Sequence, residues 1–313
     1  MLWAIMMSWK QMKHIKTLLS VGLLLASAQA ALAAVYKMPE KNNDLVGKIQ
    51  TVITAKGDTF SRFAEKYDVG YYELVQANPY VNPDKPLPGT VMLIPSQYIL
   101  PNMPREGVVI NLAEMRLYYY PKNKKEVWTF PVGIGRKGSQ TPVGAMTIIE
   151  HMDHPSWHSP ESIRVERAKE GIEIPKVVPQ GPDNPLGQYA LRLSMRTYLI
   201  HGTNDNSGVG RRSSSGCIRM FPQDIDKLFH TVQDGESVVV ISEPYKLGRQ
   251  NGNVYLEAYL PIEETNTDDL YKRIDQYAKE LGGYEEEPEE LASTLKIAAK
   301  QQAIPQKIGQ LTT

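Results

Sequence analysis

Glycine and proline recur along the whole chain, and they limit how long its helices and strands can be. The 313 residues include 23 glycines and 22 prolines. Both residue types end regular elements or form the turns between them, so they favour many short strands over a helical bundle. Hydrophobic residues make up 42% of the chain and charged residues 22%, which is ordinary for a globular protein and excludes a disordered one.

Charge and cysteine content exclude several classes of function. Lys plus Arg and Asp plus Glu number 35 each, for a formal net charge of zero, whereas a dedicated nucleic-acid-binding protein usually carries a basic excess. Cys217 is the single cysteine, so an intramolecular disulfide and a cysteine-rich zinc site are both impossible. We expect no nucleic-acid partner, no metal site and no cofactor.

The amino-terminal segment predicts export. Positive charge around Lys13 and Lys16 precedes an apolar stretch at residues 17–28, which has the length of a signal-peptide core and is short for a membrane span. Small residues of the A-x-A type follow at 28–30 and 31–33.

We place signal cleavage after Ala33 and the start of translation at Met12. Residues 1–33 are thus interpreted as a signal peptide, and an uncleaved anchor helix is the alternative. The mature chain is expected in the periplasm or cell envelope.

Residues 34–47 are interpreted as a polar leader, and residues 48–96 as a compact unit. Residues 49–54 alternate as a short strand does, and a turn follows. Apolar side chains at i, i+3, i+4 and i+7 then predict an amphipathic helix; they are Phe60, Phe63, Ala64 and Tyr67. A second helix at 71–77 and a strand at 91–94 complete the order strand, helix, helix, strand.

This unit resembles a LysM module in the order of its elements and in several short segments. The matching segments are Gly57-Asp58-Thr59, Tyr67-Asp68-Val69, Leu74 and Asn78-Pro79. The family binds glycans that contain N-acetylglucosamine, such as peptidoglycan, so the resemblance implies a wall-binding module. Residues 81–88 depart from the family because they are longer and richer in proline. A small structural αβ spacer is the alternative.

Residues 105–242 are predicted to form a β-rich domain. Its strand candidates are short segments bounded by turn residues; they lie at 107–111, 116–120, 126–132, 147–150, 190–193, 198–201 and 237–241. A segment at 152–187, which includes Trp157, has low periodicity and many prolines. A loop of that length inside a compact domain is usually functional, so we interpret it as a substrate flap. One short helix is predicted at 222–232.

The remaining residues, 243–313, are predicted to form a strand and two helices. The strand lies at 254–260, and the helices lie at 268–281 and 287–300, separated by two glycines. We interpret this part as an α-rich C-terminal segment.

Cys217 and His201 are the strongest candidates for chemistry. His201 ends a predicted strand, and a glycine-rich loop at 208–210 can bring it to Cys217. A free thiol is only a few per cent thiolate at neutral pH, and a neighbouring imidazole can take its proton. We therefore expect a thiolate held by the imidazole. The alternative is a buried, inert cysteine beside a core histidine.

The residues around Cys217 are suited to bind a substrate. Ser214, Ser215 and Gly216 are small, so a substrate can approach their backbone, and their N–H groups can stabilise an oxyanion. Three cations can support a thiolate or hold a substrate carboxylate; they are Arg211, Arg212 and Arg219.

A second cluster combines three histidines and one aspartate, namely His151, Asp153, His154 and His158. Such a set can bind zinc. Pro155 and Pro160 exclude a helix that would place two of these side chains at i and i+4. We therefore interpret the cluster as a polar loop.

The segments around His201 and Cys217 resemble the signature of the L,D-transpeptidase catalytic family, the YkuD-type domain. The matching segments are His201-Gly202-Thr203, Ser214 to Arg219, Gly133-Ile134-Gly135, Thr141 to Gly144 and Gly181 to Gly187. Ser215 stands where many members have histidine. The resemblance spans roughly residues 105–242 and implies a mainly β catalytic domain, a YkuD-type β-sandwich with a short helix.

The resemblance also implies a reaction on peptidoglycan. Cys217 attacks the carbonyl at the L-centre of the third residue of a tetrapeptide stem, D-alanine leaves with a proton from His201, and a thioester remains. The Gly202 carbonyl orients the imidazole. The residues expected to contact the substrate are Arg219, Arg212 and Trp157.

Several acceptors fit this reaction. A diaminopimelate amine gives a 3–3 cross-link, the terminal lysine of an outer-membrane lipoprotein gives lipoprotein attachment, and water gives an L,D-carboxypeptidase. The family reacts with carbapenems, so we expect one to acylate Cys217. A non-catalytic wall-binding protein and a cysteine endopeptidase are the alternative functions.

Overall fold

The computed structural model describes residues 34–195, 197–259, 272 and 303–310. The segment interpreted as a signal peptide lies outside the described residues, and so, apart from Lys272, do the two helices predicted at 268–281 and 287–300. Within the described ranges, no helix has both the length and the apolar character needed to span a membrane.

Short strands dominate the fold, as the glycine and proline content predicts. The strands, in chain order, are β1 Ala34–Lys37, β2 Leu45–Gly47, β3 Gln50–Ile53, β4 Val91–Ile94, β5 Gln97–Ile99, β6 Gly107–Asn111, β7 Arg116–Tyr120, β8 Glu126–Pro131, β9 Ile134–Gly135, β10 Gly144–Asp153, β11 Trp157–His158, β12 Val177–Val178, β13 Tyr189–Leu193, β14 Leu199–His201, β15 Arg212–Ser214, β16 Ile218–Arg219, β17 Ser237–Ile241, β18 Tyr245–Gln250, β19 Asn253–Ala258 and β20 Gln306–Gln310. The α-helices of the described part are α1 Phe60–Tyr67, α2 Tyr71–Ala77, α3 Glu161–Lys169 and α4 Pro222–Phe229.

A curled sheet of nine strands forms the centre of the molecule, in the order β1-β8-β7-β6-β17-β10-β13-β14-β16. Most neighbours run antiparallel, whereas β17 runs parallel to β6 and β14 runs parallel to β16. Alternate residues of these strands point into one apolar core, against which α4 packs Ile225 and Leu228. The parallel pair β14 and β16 lies at one end of the sheet, and it carries the candidate catalytic residues.

The predicted order strand, helix, helix, strand is present as β3, α1, α2 and β4. Thr59 begins α1, because its hydroxyl accepts a hydrogen bond from the Arg62 N–H at 3.3 Å. The apolar face of α1 is buried against α2 and β4. Strand β3 pairs antiparallel with β4, so the ends of the unit meet.

This unit packs directly against the central sheet. The Glu73 carboxylate on α2 accepts hydrogen bonds from Nε and Nη2 of Arg116 on β7, at 2.8 and 2.6 Å. Both side chains are buried, and the Arg116 guanidinium lies 4.0 Å from the centre of the Tyr98 ring. Tyr71, the first residue of α2, stacks on the guanidinium of Arg211 at 3.3 Å.

The carboxy-terminal sheet β18-β19-β20 closes over the start of the described chain. The Arg249 N–H donates to Asp44 Oδ2 at 2.9 Å, across 205 residues of sequence. The Ile99 N–H donates to Glu257 Oε2 at 2.7 Å, across 158 residues. Residues from both ends of the described chain therefore share one packed body.

Three segments differ from the sequence-based expectation. The leader at 34–47 contains β1, which pairs with β8, and β2, which pairs with β5. The flap at 152–187 contains α3 and the ribbon of β11 and β12. Helix α3 buries none of its residues, so no apolar periodicity marks it in the sequence.

The third difference lies after residue 242. Strands β18 and β20 were not expected there, and the predicted strand at 254–260 is observed as β19, Asn253–Ala258. Within the described part of this segment, β18, β19 and β20 form a three-stranded sheet.

Candidate active site

Two neighbouring parallel strands bring His201 and Cys217 together. His201 ends β14 and pairs with Arg219, the last residue of β16, while Ile200 pairs with Ile218. Cys217 immediately precedes β16, so it lies two residues from Arg219 and on the same face of the sheet. His201 and Cys217 are therefore diagonal neighbours across adjacent strands, and both line the same cavity.

Both side chains face one cavity of about 610 Å³. Its floor is formed by the ends of β14 and β16, and its walls come from the flap and the segment before Cys217. The lining residues are Arg136, Trp157, Pro160, Ile163, Glu166, Arg167, Ile174, Pro175, Val178, Pro179, Asp183, Pro185, Leu186, Thr197, His201, Ser213, Ser214, Ser215, Cys217 and Arg219.

The imidazole of His201 is buried and held in one orientation. Its Nδ1 lies 2.6 Å from the Gly202 carbonyl oxygen, to which it donates a hydrogen bond, so the proton sits on Nδ1 and Nε2 keeps its lone pair. Burial, reinforced by the Arg219 charge, lowers the pKa of His201 to about 4, against the opposing effect of the Gly202 and Leu186 carbonyls. At neutral pH the ring is a neutral base.

The Cys217 thiol is half-buried and is also neutral at rest. Its Sγ lies 3.8 Å from the Thr197 carbonyl oxygen, which accepts the S–H. Burial raises the pKa of the Cys217 thiol, while the Leu199 N–H and the Arg219 charge pull that pKa down. These shifts correct the expectation of a resting thiolate, because both keep the pair as thiol and neutral imidazole.

A chain of hydrogen bonds shapes the loop that precedes Cys217. The Ser214 hydroxyl donates to the Cys217 carbonyl at 2.6 Å and accepts from the Gly216 N–H at 3.1 Å. The buried Thr141 hydroxyl donates to the Gly216 carbonyl at 2.8 Å and accepts from the Gly135 N–H at 3.0 Å. The segments Thr141 to Gly144 and Gly133 to Gly135 therefore hold the loop of residues 214–217, called the cysteine loop below, in place.

The side chains predicted to contact substrate separate into two groups. Arg219 and Trp157 line the cavity, Trp157 from β11 at the edge of the flap. Arg212 is not among the lining residues, and its Nε lies 3.5 Å from the Gly135 carbonyl. Ser214 and Ser215 line the cavity, and Gly216 is buried beneath them.

Three side chains at or beside the cavity were not singled out from the sequence. Arg136, which follows β9, and Glu166 on the flap helix α3 both line the cavity and form an ion pair with each other. The buried Asn184 amide donates to the Pro155 carbonyl at 2.7 Å and to the Pro179 carbonyl at 3.1 Å, and its oxygen accepts the Leu186 N–H at 2.9 Å. Asn184 thus ties both ends of the flap together beside His201.

The second histidine cluster is dispersed. His151 and Asp153 lie on β10 rather than in a loop, and the His151 ring contacts Asp234 at 2.7 Å. His154 contacts Asp153 at 2.5 Å, and His158 lies on β11. In the described part of the chain, no three His, Cys, Asp or Glu side chains are grouped as metal ligands.

The domains match two families. The family model for the YkuD L,D-transpeptidase catalytic domain matches residues 105–241, and the LysM domain model matches residues 53–95. A curated relative from Escherichia coli (strain K12), "Probable L,D-transpeptidase YcfS", is 41% identical over 259 residues, which is 81% of each chain. The chain belongs to the L,D-transpeptidase family. It is therefore an acyltransferase, and it carries a LysM domain.

Two further relatives of this L,D-transpeptidase come from the same organism. "Probable L,D-transpeptidase ErfK/SrfK" is 40% identical over 82% of this chain and 84% of that protein. "Probable L,D-transpeptidase YbiS" is 41% identical over 80% of this chain and 83% of that protein. Matches of this extent include both the LysM domain and the catalytic domain.

Proposed function

We propose that this L,D-transpeptidase acts on peptidoglycan tetrapeptide stems through a thioester on Cys217. The observation that carries the proposal is that Cys217 and His201 share one cavity, with the imidazole fixed so that Nε2 keeps a lone pair. The Cys217 sulfur attacks the carbonyl of the third stem residue, the C–N bond to the terminal D-alanine breaks, and a C–S bond forms.

The proton follows a path set by the neutral pair. The thiol proton moves to His201 Nε2 as sulfur attacks, and the imidazolium then gives it to the departing amine of D-alanine. In the second half, an acceptor amine attacks the thioester, His201 takes its proton, and the proton returns to the sulfur. The Gly202 carbonyl supports the imidazolium of both halves, because it accepts the Nδ1–H at 2.6 Å.

The developing oxyanion is assigned to the amides of the cysteine loop. The Gly216 N–H already donates to Ser214 Oγ, so we assign the oxyanion to the N–H groups of Ser215 and Cys217. Ser214 then has a positioning role: its hydroxyl also donates to the Cys217 carbonyl, so it fixes the backbone conformation of the loop.

Charges of both signs around the cavity favour a substrate that carries both carboxylates and an amine. Arg219 and Arg136 present guanidinium groups, and Glu166 and Asp183 present carboxylates. Trp157 adds an aromatic wall at the flap. Stems with diaminopimelate have this combination of charges, and guanidinium–carboxylate pairs give directional recognition.

We further propose that the mature enzyme works in the periplasm and that its LysM domain holds it on glycan strands. The sequence of residues 1–33 supports export. The acceptor is a stem amine or the terminal lysine of an outer-membrane lipoprotein. Because an L,D-transpeptidase is an acyltransferase, the non-catalytic alternative is set aside.

Intact-mass spectrometry with a carbapenem tests the nucleophile. Wild type is expected to gain one drug mass, Cys217→Ala to gain none, and Ser213→Ala to behave as wild type, since Ser213 lines the same cavity without the thiol. A drug adduct on Cys217→Ala would overturn the assignment.

Muropeptide analysis then identifies the acceptor. A strain that expresses this enzyme alone, with and without candidate lipoproteins, is expected to contain 3–3 dimers or stems joined to a lipoprotein lysine. Tripeptides without either product would assign water as the acceptor, and cleaved stems would indicate an endopeptidase.

A further inference from the structure

Two aspartates are buried side by side where the LysM domain meets the catalytic domain. Asp68 follows α1 in a left-handed conformation, with φ of 53°, and Asp224 lies in the first turn of α4. The side chains are 3% and 1% exposed. Apart from a proton shared between the two acids, Asp68 Oδ1 and both Asp224 carboxylate oxygens accept no hydrogen bond within the described residues.

One backbone nitrogen reaches this pair. The nitrogen of Ala34 lies 3.2 Å from Asp68 Oδ2. Strand β1 fixes that nitrogen, because Ala34 pairs with Thr129 and the next three residues continue the ladder along β8. Ala34 is thus held at the acid pair by the four consecutive pairings of β1 with β8.

The surrounding cations do not neutralise the pair. Arg116 is committed to Glu73 and to the Thr129 hydroxyl. The charges of Arg116 and Lys227 lower the pKa of both acids without cancelling the effect of burial, and Tyr36 and Tyr98 also interact electrostatically with Asp68. Burial raises the pKa of both acids, and a hydrogen bond between their carboxyl groups raises the pKa of Asp224 further while it lowers that of Asp68.

Ala34 is the residue that the predicted signal cleavage turns into a new amino terminus. Hydrolysis of the Ala33–Ala34 peptide bond consumes one water molecule, leaves a carboxylate on Ala33 and an α-ammonium group on Ala34. An amide nitrogen offers one hydrogen and no charge, whereas an ammonium group offers three hydrogens and a positive charge.

We propose that signal-peptide removal after Ala33 creates an α-ammonium group that forms a buried ion pair with Asp68 and Asp224, and so locks the mature amino terminus between the LysM domain and α4. The group supplies the donor that the unpartnered oxygens lack. The site is thereby specific for cleavage at this bond. Cleavage after Ala30, at the other A-x-A segment, would leave three more residues and carry the charge away from the acids.

This proposal goes beyond the reaction and does not depend on Cys217. It is tested on two full-length mature chains that differ only at their start. One begins at Ala34, made by removal of an initiator methionine and verified by intact mass; the other begins at Ala31. At pH 7 the chain that begins at Ala34 is expected to have a Tm higher by roughly 4 °C.

Variants of the two acids test the ion pair, and a neighbouring aspartate provides the matched control. Asp68→Asn and Asp224→Asn are each expected to reduce the Tm difference between the two chains by more than half, because they remove the charge that the ammonium group contacts. Asp226→Asn, an exposed position on the same helix, is expected to leave the difference unchanged. Each variant is compared in both chain forms, so a general loss of stability cancels.

Amine reactivity gives a second measurement. The amino group of Ala34 is expected to be labelled by acetic anhydride about tenfold more slowly than that of the chain that begins at Ala31, because it is buried and ion-paired. Equal Tm values together with equal labelling rates would overturn the proposal. Sequencing of the exported protein is expected to begin at Ala34, and a start at Ala31 would also overturn it.

Discussion

Arg116 of the catalytic sheet and Glu73 of the LysM domain form a two-pronged ion pair, with N–O distances of 2.8 and 2.6 Å, that water does not reach. Glu73 also accepts the Gly70 N–H at 2.6 Å, at the start of α2. One carboxylate thus fixes the first turn of a LysM helix and anchors it to β7. The two domains are therefore expected to unfold together.

Glu73→Gln should destabilise the whole protein by about 3 kcal/mol, because it leaves the buried Arg116 charge without its counter-ion. Guanidinium titration followed by circular dichroism measures the free energy of unfolding. Glu170→Gln is the matched control, because its pair with Arg167 at 2.8 Å is exposed and should change that free energy by less than about 0.5 kcal/mol. Two separate transitions in wild type would contradict the coupling.

Carbapenem acylation should persist in mild acid, because the pKa of His201 is lowered to about 4 by burial and by Arg219. A histidine with an ordinary pKa near 6.5 would lose about tenfold of its neutral form at pH 5.5. We expect the acylation rate, measured by intact mass against time, to change by less than about threefold between pH 7 and pH 5.5.

Arg219→Gln serves as the comparison for that profile. Removal of the positive charge raises the pKa of His201, so the acid limb of the acylation profile should move to higher pH. An acid limb near pH 6.5 in wild type would show that the imidazole is not buried as described.

Gly216→Ala should slow acylation by more than about tenfold. Gly216 has φ of +113°, and a Cβ there would lie 2.8 Å from Tyr198 Cε1, so the loop must shift beside Cys217. Gly138→Ala is the control for backbone strain alone, because Gly138 has φ of +85° with open space around its Cβ position. Similar acylation rates for the two variants would exclude a specific role for the Gly216 contact.

The stability of the protein should depend on pH through Glu114. Burial raises the pKa of Glu114 to about 7 from an ordinary value of 4.5, against the pull of Lys246. The folded state therefore holds a proton that the unfolded state releases, and this contribution is complete below pH 4.5 and disappears as the pH rises to about 7.

Glu114→Gln should flatten this decline, since glutamine keeps its neutral form at every pH. The measurement is the free energy of unfolding from pH 5 to pH 7.5, with the exposed Glu65→Gln as control. An equally steep decline in Glu114→Gln and wild type would assign the pH dependence to other groups.

Local sequence patterns predicted much of the fold. The apolar spacing that includes Phe60 and Phe63 predicted α1, and turn-bounded apolar runs predicted β6, β7 and β17 with their observed bounds. These elements bury side chains at a regular period, so the sequence records them directly.

The elements that the sequence did not predict are of two kinds. Some form only through pairing with a distant part of the chain, and others bury no side chain. Strand β1 exists because Ala34 pairs with Thr129, far along the chain, and its four residues have no strong pattern. Helix α3 begins after Pro160 and buries none of its residues, so no apolar spacing marks it, although proline is tolerated at a helix start.

In the active site, too, some features could be predicted from the sequence and others depend on the folded structure. The motif residues predicted that Cys217 and His201 would meet, but their neutral state follows from burial, which a sequence does not display. Asn184 appeared only as part of a turn segment, since a buried asparagine that holds a flap has the same letter as an exposed one.

The hydrogen bonds from Arg249 to Asp44 and from Ile99 to Glu257 have a kinetic consequence. Such closures over long stretches of chain slow folding, because loop entropy is lost before the contacts form. A ribosome must release nearly the whole polypeptide before the carboxy-terminal sheet can close the body. Completion of the fold is accordingly a late step, which waits for the last strands of the chain.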